Sequence, residues 1–133
     1  MSEDGLWDAN LDDLCKQISA HMISLRPCED DQNGLRKMYR YVISLFEEQC
    51  FDVELIENPK ADYRPVIVAK SGSDKATTVG FFGHYDVEPV NEKEWSTDPW
   101  LLTDVDGRWQ GRGVADNIVP LVQKILLSPE LKK

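Results

Sequence analysis

Val79-Gly80-Phe81-Phe82-Gly83-His84-Tyr85-Asp86-Val87 decides how this chain is read. An apolar run of strand character stops at a glycine, followed by a histidine and, two positions on, an aspartate. In an extended chain, residues i and i+2 point to the same side. His84 and Asp86 are therefore expected to leave the strand end together. A carboxylate beside a metal-bound imidazole fixes its tautomer and raises its basicity. The chain has only two histidines, which makes His84 a candidate metal ligand. Taken alone, the same Gly-His-x-Asp pattern also describes a hydrogen-bonded polar strand terminus.

Working outward, Thr77 to Phe82 reads as the strand feeding His84, Val66 to Ala69 as a short continuous apolar strand, and Phe51 to Ile56 as an alternating one. Ser71-Gly72-Ser73-Asp74 is turn chemistry, and 59–65 is a loop. Continuous apolar runs predict strands covered on both faces. Leu11, Leu14, Cys15, Ile18, Met22 and Leu25 mark one face of a helix that Arg26-Pro27 stops. After a polar loop over 28–33, Gly34 leads into a second helix with Leu35, Met38, Tyr39, Val42, Ile43 and Phe46 on its apolar face. Both helices are expected on one side of a sheet. Downstream, Asp106-Gly107 between short apolar runs predicts a hairpin. Pro120 suits the first turn of a last helix carrying Leu121, Val122, Ile125 and Leu126. Together these elements predict an α/β domain. His21 has no partner at metal-ligand spacing and is expected at the surface or half-buried.

A chain of 133 residues is long enough for one domain with a real core, burying roughly two thirds of its unfolded surface. Apolar residues at 41% and charged residues at 29% fit a soluble globular protein. The net charge of −9 argues against nucleic acid as a partner, because that binding needs Lys and Arg to displace counterions. The acidic start lacks a secretory layout, and no apolar run approaches the ~20 residues that span a bilayer. Three cysteines form no CxxC pair and leave one unpaired under any disulfide scheme. Cys15 lies on a helical stripe and Cys50 closes another, which predicts buried thiols and a reducing, cytoplasmic setting.

A second candidate stretch is Gly111-Arg112-Gly113-Val114-Ala115-Asp116-Asn117. Its glycines permit backbone conformations closed to other residues, so the chain could bend and present Asp116 beside another strand end. An aspartate can bridge two cations about 3.5–4 Å apart in two-metal hydrolytic sites, and Zn²⁺ accepts mixed imidazole and carboxylate ligands. The plainer reading is a turn with Arg112 in a surface ion pair. No Ser/His/Asp or Cys/His nucleophile set and no phosphate-binding glycine loop is apparent.

Taken in order, Phe82-Gly83-His84-Tyr85-Asp86-Val87 with Pro89, Trp95, Asp98-Pro99-Trp100, Leu102, Asp106-Gly107 and Gly111 to Asn117 resembles the co-catalytic zinc peptidases of the aminoacylase, carnosinase and carboxypeptidase type. Within them the chain is most similar to cytosolic dipeptidases, including the carnosinase-like and fungal glutathione-degrading members. The resemblance runs from Leu6 to about Asn117. It implies the N-terminal portion of a three-layer α/β/α domain of phosphorylase/hydrolase-like type with a mixed sheet, so that 1–133 is a partial metallopeptidase catalytic domain. It further implies hydrolysis of a peptide or amide bond in a dipeptide or an acylated amino acid. His84 would bind one zinc, Asp116 would bridge two zinc ions, and Asp86 would serve catalysis by orienting His84 and tuning the metal-bound water. Homo- or hetero-oligomers are compatible with it.

The departures from the family pattern set further expectations. Where family members continue with Lys-Gly-Pro after the bridging aspartate, this chain has Ile118-Val119-Pro120 after Asn117. A β-branched valine resists the positive φ that glycine tolerates, so an altered Asp116 loop is expected. The family's Glu-Glu pair, which supplies the base and a metal contact, has no counterpart downstream of Asp116, and no histidine follows His84. Glu47-Glu48 lies in the second helix and reads as a solvated face. The chain alone is therefore expected to bind zinc weakly or partially and to lack turnover, as a fragment, truncated product or divergent gene model would. The competing expectation is a non-catalytic module that binds a partner peptidase subunit through an exposed edge.

Overall fold

A computed structural model of the chain describes residues 7–59, 64–72 and 77–132. Asp8 starts α1 (Ala9–Ser24) by accepting the Leu11 N–H at 2.8 Å, which satisfies one of the orphan donors of the first turn. Arg26 at φ 53° ends it, with Pro27 next, as the sequence predicts. Asp31 caps α2 (Gln32–Glu48) in the same manner, accepting the Gly34 N–H at 2.8 Å. The helix thus begins two residues before Gly34, inside the stretch read as loop. Gly34 is required there by proximity: a Cβ would stand 2.3 Å from the Leu25 carbonyl oxygen and 2.4 Å from that of Arg26.

The end of α2 overturns one expectation. Phe51 N–H bonds the Phe46 carbonyl at 3.1 Å and Cys50 N–H that of Glu47 at 2.9 Å, with Cys50 at φ 59° between them. This is a Schellman closure, and the Phe46 and Phe51 rings meet edge to face at 5.5 Å beneath it. Cys50 therefore leaves the helical stripe and is exposed, whereas Cys15 and Cys28 are buried free thiols. Glu47 and Glu48 are exposed, as expected, and His21 is exposed with its ring against Tyr41.

Strand β1 (Asp52–Ile56) pairs antiparallel with β2 (Val66–Lys70), Asp52 opposite Lys70 and Ile56 opposite Val66. The expectation of strands covered on both faces fails here: β2 is exposed at both ends and half-buried between, and α2 covers one face of the pair. Strands β3 (Thr103–Val105) and β4 (Arg108–Gln110) form the predicted hairpin. Its turn residues Asp106 and Gly107 both have positive φ, 53° and 77°, the geometry that matches strand twist in tight hairpins. Among the described residues the sheets are these two antiparallel pairs, and a separate, isolated parallel bridge links Cys28 to Val87 outside them. The segment Thr77 to Phe82 forms no ladder, contrary to the sequence reading, and its described residues are exposed, Phe82 at 91%. A strand needs an edge to bond to, and apolar content alone does not supply one.

Helix α3 (Ile118–Leu127) carries Pro120 in its first turn and packs against α1, whereas α2 packs on β1 and β2, so the two N-terminal helices do not share one side of a sheet as expected. The face of α1 is centred on Cys15, Ile18, Ser19, Met22 and Ile23, so Leu14 lies outside it and is exposed. Met22, Ile23, Met38, Val42, Trp100, Ile118, Val122 and Ile125 form the centre of the core. Ile118 and Val119 are buried within the first turn of α3, and neither has positive φ. The expected conflict at Val119 therefore does not arise; these two residues anchor the helix that follows the Asp116 loop. Among the described residues no helix is long and apolar enough to cross a membrane.

Candidate metal centre

Two loop segments build the site, and the core fixes both. The first runs through His84 to Val87. Val87 is buried, and its N–H bonds the Pro27 carbonyl at 2.9 Å, which ties the segment to the corner between α1 and α2. The second runs from Gly111 to Asn117. Gly113, at φ 89°, lies so close to Val87 and Ile118 that a Cβ would come within 2.8 Å of Val87 Cγ1 and 2.7 Å of Ile118 Cδ1. Of the two glycines flanking Arg112, Gly113 is the one whose conformation demands glycine. Their close approach brings Asp116 across to His84, the convergence that the sequence left to a sharp bend. The peptide bond between Asp116 and Asn117 is cis.

His84 Nε2 stands 2.8 Å from Asp116 Oδ1. Its Nδ1 lies 2.9 Å from the Asp86 carbonyl oxygen and 3.2 Å from Asp86 Oδ1. His84 and Asp86 do leave the backbone together, and Asp86 holds the ring through its main chain as well as its carboxylate. Asp86 Oδ2 also meets Arg64 at 3.1 Å. His84, Asp86 and Asp116 line an open cleft of about 360 Å³ with Val87, Glu88 and Arg112.

The ring's contacts constrain its chemistry. A carbonyl oxygen only accepts, so Nδ1 carries a proton. In the neutral imidazole Nε2 is then an acceptor, and it would face a carboxylate oxygen at 2.8 Å with no hydrogen between them. A proton, on the ring or on the carboxyl, or a metal ion fills that position. Burial, the largest influence on the His84 ring, pulls its pKa down. Hydrogen bonds to the Asp86 carbonyl and the Asp116 carboxylate, with the charges of both aspartates, outweigh it and leave the pKa raised. A tetrahedral zinc needs nitrogen and oxygen donors about 3.4 Å apart, so an opening of about 0.6 Å would admit one. The pair fits zinc as part of a ligand set. Among the described residues no group of three or more His, Cys, Asp or Glu side chains is arranged to hold a metal by itself.

Three contributors escaped the sequence reading. Arg64 reaches Asp86 from 22 residues away, Asn117 Oδ1 accepts the His84 N–H at 3.2 Å, and Lys124 donates to the Phe82 carbonyl at 2.9 Å. Arg112, read as a surface ion-pair former, lies over Trp95 with its Cζ 5.3 Å from the ring centroid, and donates to the Pro89 carbonyl at 3.4 Å. Asn117 stands at the end of the motif and was visible there, but nothing local showed where its side chain goes.

Comparison with known proteins supplies the context. The chain is 50% identical over 60 residues to the human beta-Ala-His dipeptidase, covering 44% of this chain and 12% of that protein. It is 40% identical over 74 residues to the Cys-Gly metallodipeptidase DUG1 of Saccharomyces cerevisiae, covering 53% of this chain and 15% of the yeast protein. The crystal structure of human carnosine dipeptidase 1 superposes with a TM-score of 0.78 at 25% identity, covering 93% of this chain and 30% of that one. No protein-family model matches. By sequence and fold the chain is similar to the beta-Ala-His dipeptidases and Cys-Gly metallodipeptidases, and it spans less than a third of their length.

Proposed function

We propose that this chain carries part of the metal centre of a zinc-dependent dipeptidase, within a partial catalytic domain over 1–133. The observation that supports it best is His84 Nε2 facing Asp116 Oδ1 at 2.8 Å while Asp86 fixes the proton on Nδ1. His84 and Asp116 would hold zinc, with Asp116 free to bridge a second ion because its side chain is 85% exposed. Bound zinc would acidify a water towards pH ~7 and polarise the scissile carbonyl. Asp86 would keep the imidazole aimed and basic, and Arg64 would hold the far oxygen of Asp86. The substrate class that fits is a dipeptide or an acylated amino acid, and the setting that fits is cytoplasmic.

The polypeptide 1–133 by itself is proposed to lack peptidase turnover. Two facing donors fall short of a closed ligand set, and Asp86, already bonded to His84 and Arg64, is poorly placed to serve as base. Zinc titration of 1–133, with beta-Ala-His and Cys-Gly as substrates, tests both parts. The expected result is no more than one zinc per chain, lost in His84→Ala, and no hydrolysis. Zinc uptake insensitive to His84 overturns the site, and zinc-dependent hydrolysis abolished by His84→Ala overturns the lack of turnover.

A second reading, a module that binds a partner peptidase subunit, draws on the exposed apolar residues Val66, Val79, Phe81, Phe82 and Leu131 around one groove. It predicts stable association that survives replacement of His84 and Asp116, measured by sedimentation.

A further inference from the structure

The first two turns of α3 present Asn117, Leu121 and Lys124 on one stripe, at the i, i+4 and i+7 spacing that shares a helix face. The segment Phe82 to His84 lies along that stripe. Lys124 Nζ bonds the Phe82 carbonyl, and Asn117 Oδ1 accepts the His84 N–H. Between them, a Cβ on Gly83 would stand 2.7 Å from Asn117 Oδ1, 3.5 Å from Leu121 Cδ1 and 3.8 Å from Lys124 Nζ. Asn117 occupies the N-cap position of α3, where an asparagine ordinarily accepts an N–H of the first turn. It makes no side-chain cap bond here. Its oxygen is spent on His84 instead, while the preceding residue, Asp116, meets the same histidine at Nε2.

We infer that Asn117 is the positioning residue of the centre: its side-chain oxygen, seated over Gly83, fixes the backbone of His84 and so sets the approach of the imidazole to Asp116. Adjacent residues thus grip His84 at two points, one at the main chain and one at the ring. Gly83 is needed because the oxygen occupies the space a Cβ would take. Any weakening of the grip frees the ring from Asp116 without touching the core.

Two readouts test this, and only the second rests on the proposed zinc site. In the metal-free protein, hydrogen exchange of the His84 amide is followed by NMR. Asn117→Ala is expected to speed it about tenfold, the worth of one net hydrogen bond, while Asn117→Asp, which keeps the acceptor, retains protection. Protection across α3 is expected to stay unchanged, because the asparagine does not cap that helix. Gly83→Ala is expected to reproduce the loss by displacing the oxygen. The double variant is expected to be no worse than the worse single one, since removing the oxygen relieves the clash. Zinc affinity is expected to fall about 10- to 100-fold in each single variant, as for other groups that orient a metal ligand. Unchanged His84 exchange in Asn117→Ala, additive losses in the double variant, or a general loss of α3 protection overturns the assignment. Exchange behaviour as expected in a protein that takes up no zinc leaves the positioning role standing and removes the metal centre.

Discussion

Gly34→Ala separates local propensity from packing by the sign of its effect. In a helix, alanine is favoured over glycine by up to about 1 kcal/mol, so propensity alone predicts a gain. The structure predicts a loss. The new Cβ would lie 2.3 Å and 2.4 Å from the carbonyl oxygens of Leu25 and Arg26, whereas ordinary carbon–oxygen contacts begin at about 3.3 Å. The start of α2 would have to retreat by about 1 Å. Neither oxygen can swing aside: both belong to the backbone at the end of α1, where Arg26 is held at φ 53°. Overpacking costs about 1–3 kcal/mol and occasionally more; contacts this short to backbone oxygens take the upper end, and subtracting the propensity gain of about 1 kcal/mol leaves a net loss of about 2 kcal/mol. Urea denaturation followed by far-UV circular dichroism measures it. Gly80→Ala is the control, with nothing within 4 Å of its Cβ and no positive φ, and should fall within about ±0.5 kcal/mol. The same corner holds Val87 through Pro27, so the shift should also broaden the NMR signals of His84. A Gly34→Ala variant as stable as the parent, or more so, would refute the close approach.

Other outcomes follow from the same contacts. Gly113→Ala combines positive φ with contacts of 2.7 Å and 2.8 Å to Ile118 and Val87 and should lose about 2–4 kcal/mol; Gly107→Ala, with equal conformational cost but nothing within 4 Å, should lose only about 1 kcal/mol. Iodoacetamide with peptide mapping should label Cys50 in the folded protein and reach Cys15 and Cys28 only on unfolding. The Cys28 thiol is pushed up to about 12 from 9.0, first by burial, then by its hydrogen bond to Asp30 and the charges of Asp30 and Asp31. The unfolded thiol ionises above pH 9 while the folded one keeps its proton, so this contribution is intact below pH 9 and is lost as pH climbs towards 12; Cys28→Ser should flatten the alkaline decline in urea midpoint. Asp86→Asn should lower zinc affinity at least tenfold, to order of magnitude, while costing less than about 1 kcal/mol of stability, because its ion pair with Arg64 is one-third exposed.

The parts of the fold legible in the sequence are those governed by near neighbours. The Arg26-Pro27 stop, the Asp106-Gly107 turn and the stripe of α3 each depend on residues within a turn or two. Thr77 to Phe82 was misread because β structure is a pairing state, and its apolar residues say nothing about whether an edge is available. Cys50 was misread because a Schellman closure carries the last residue of an apparent stripe into the left-handed region, where it turns outward. Ile118 and Val119 looked like damage to a loop but lie in the first turn of a helix packed into the core. At the site, the i, i+2 relation of His84 and Asp86 was visible from spacing. Asp116 is a candidate from its glycine-flanked stretch, but its assigned role comes from the resemblance, since its approach to His84 depends on Gly113 meeting Val87. Arg64, Asn117 and Lys124 act across 22, 33 and 42 residues, and no local pattern carries such distances.

In the proposed centre His84 presents an unprotonated Nε2 to a metal beside Asp116 while Asp86 keeps the proton on Nδ1. Long-range ¹H–¹⁵N spectra of the His84 ring, recorded with and without zinc at neutral pH, test it most directly. Zinc is expected to remove any proton from Nε2 and to shift that nitrogen, with Nδ1 remaining protonated, and Asp116→Asn is expected to weaken the response. A His84 ring whose Nε2 stays protonated in saturating zinc, or whose spectrum ignores the metal, would contradict it.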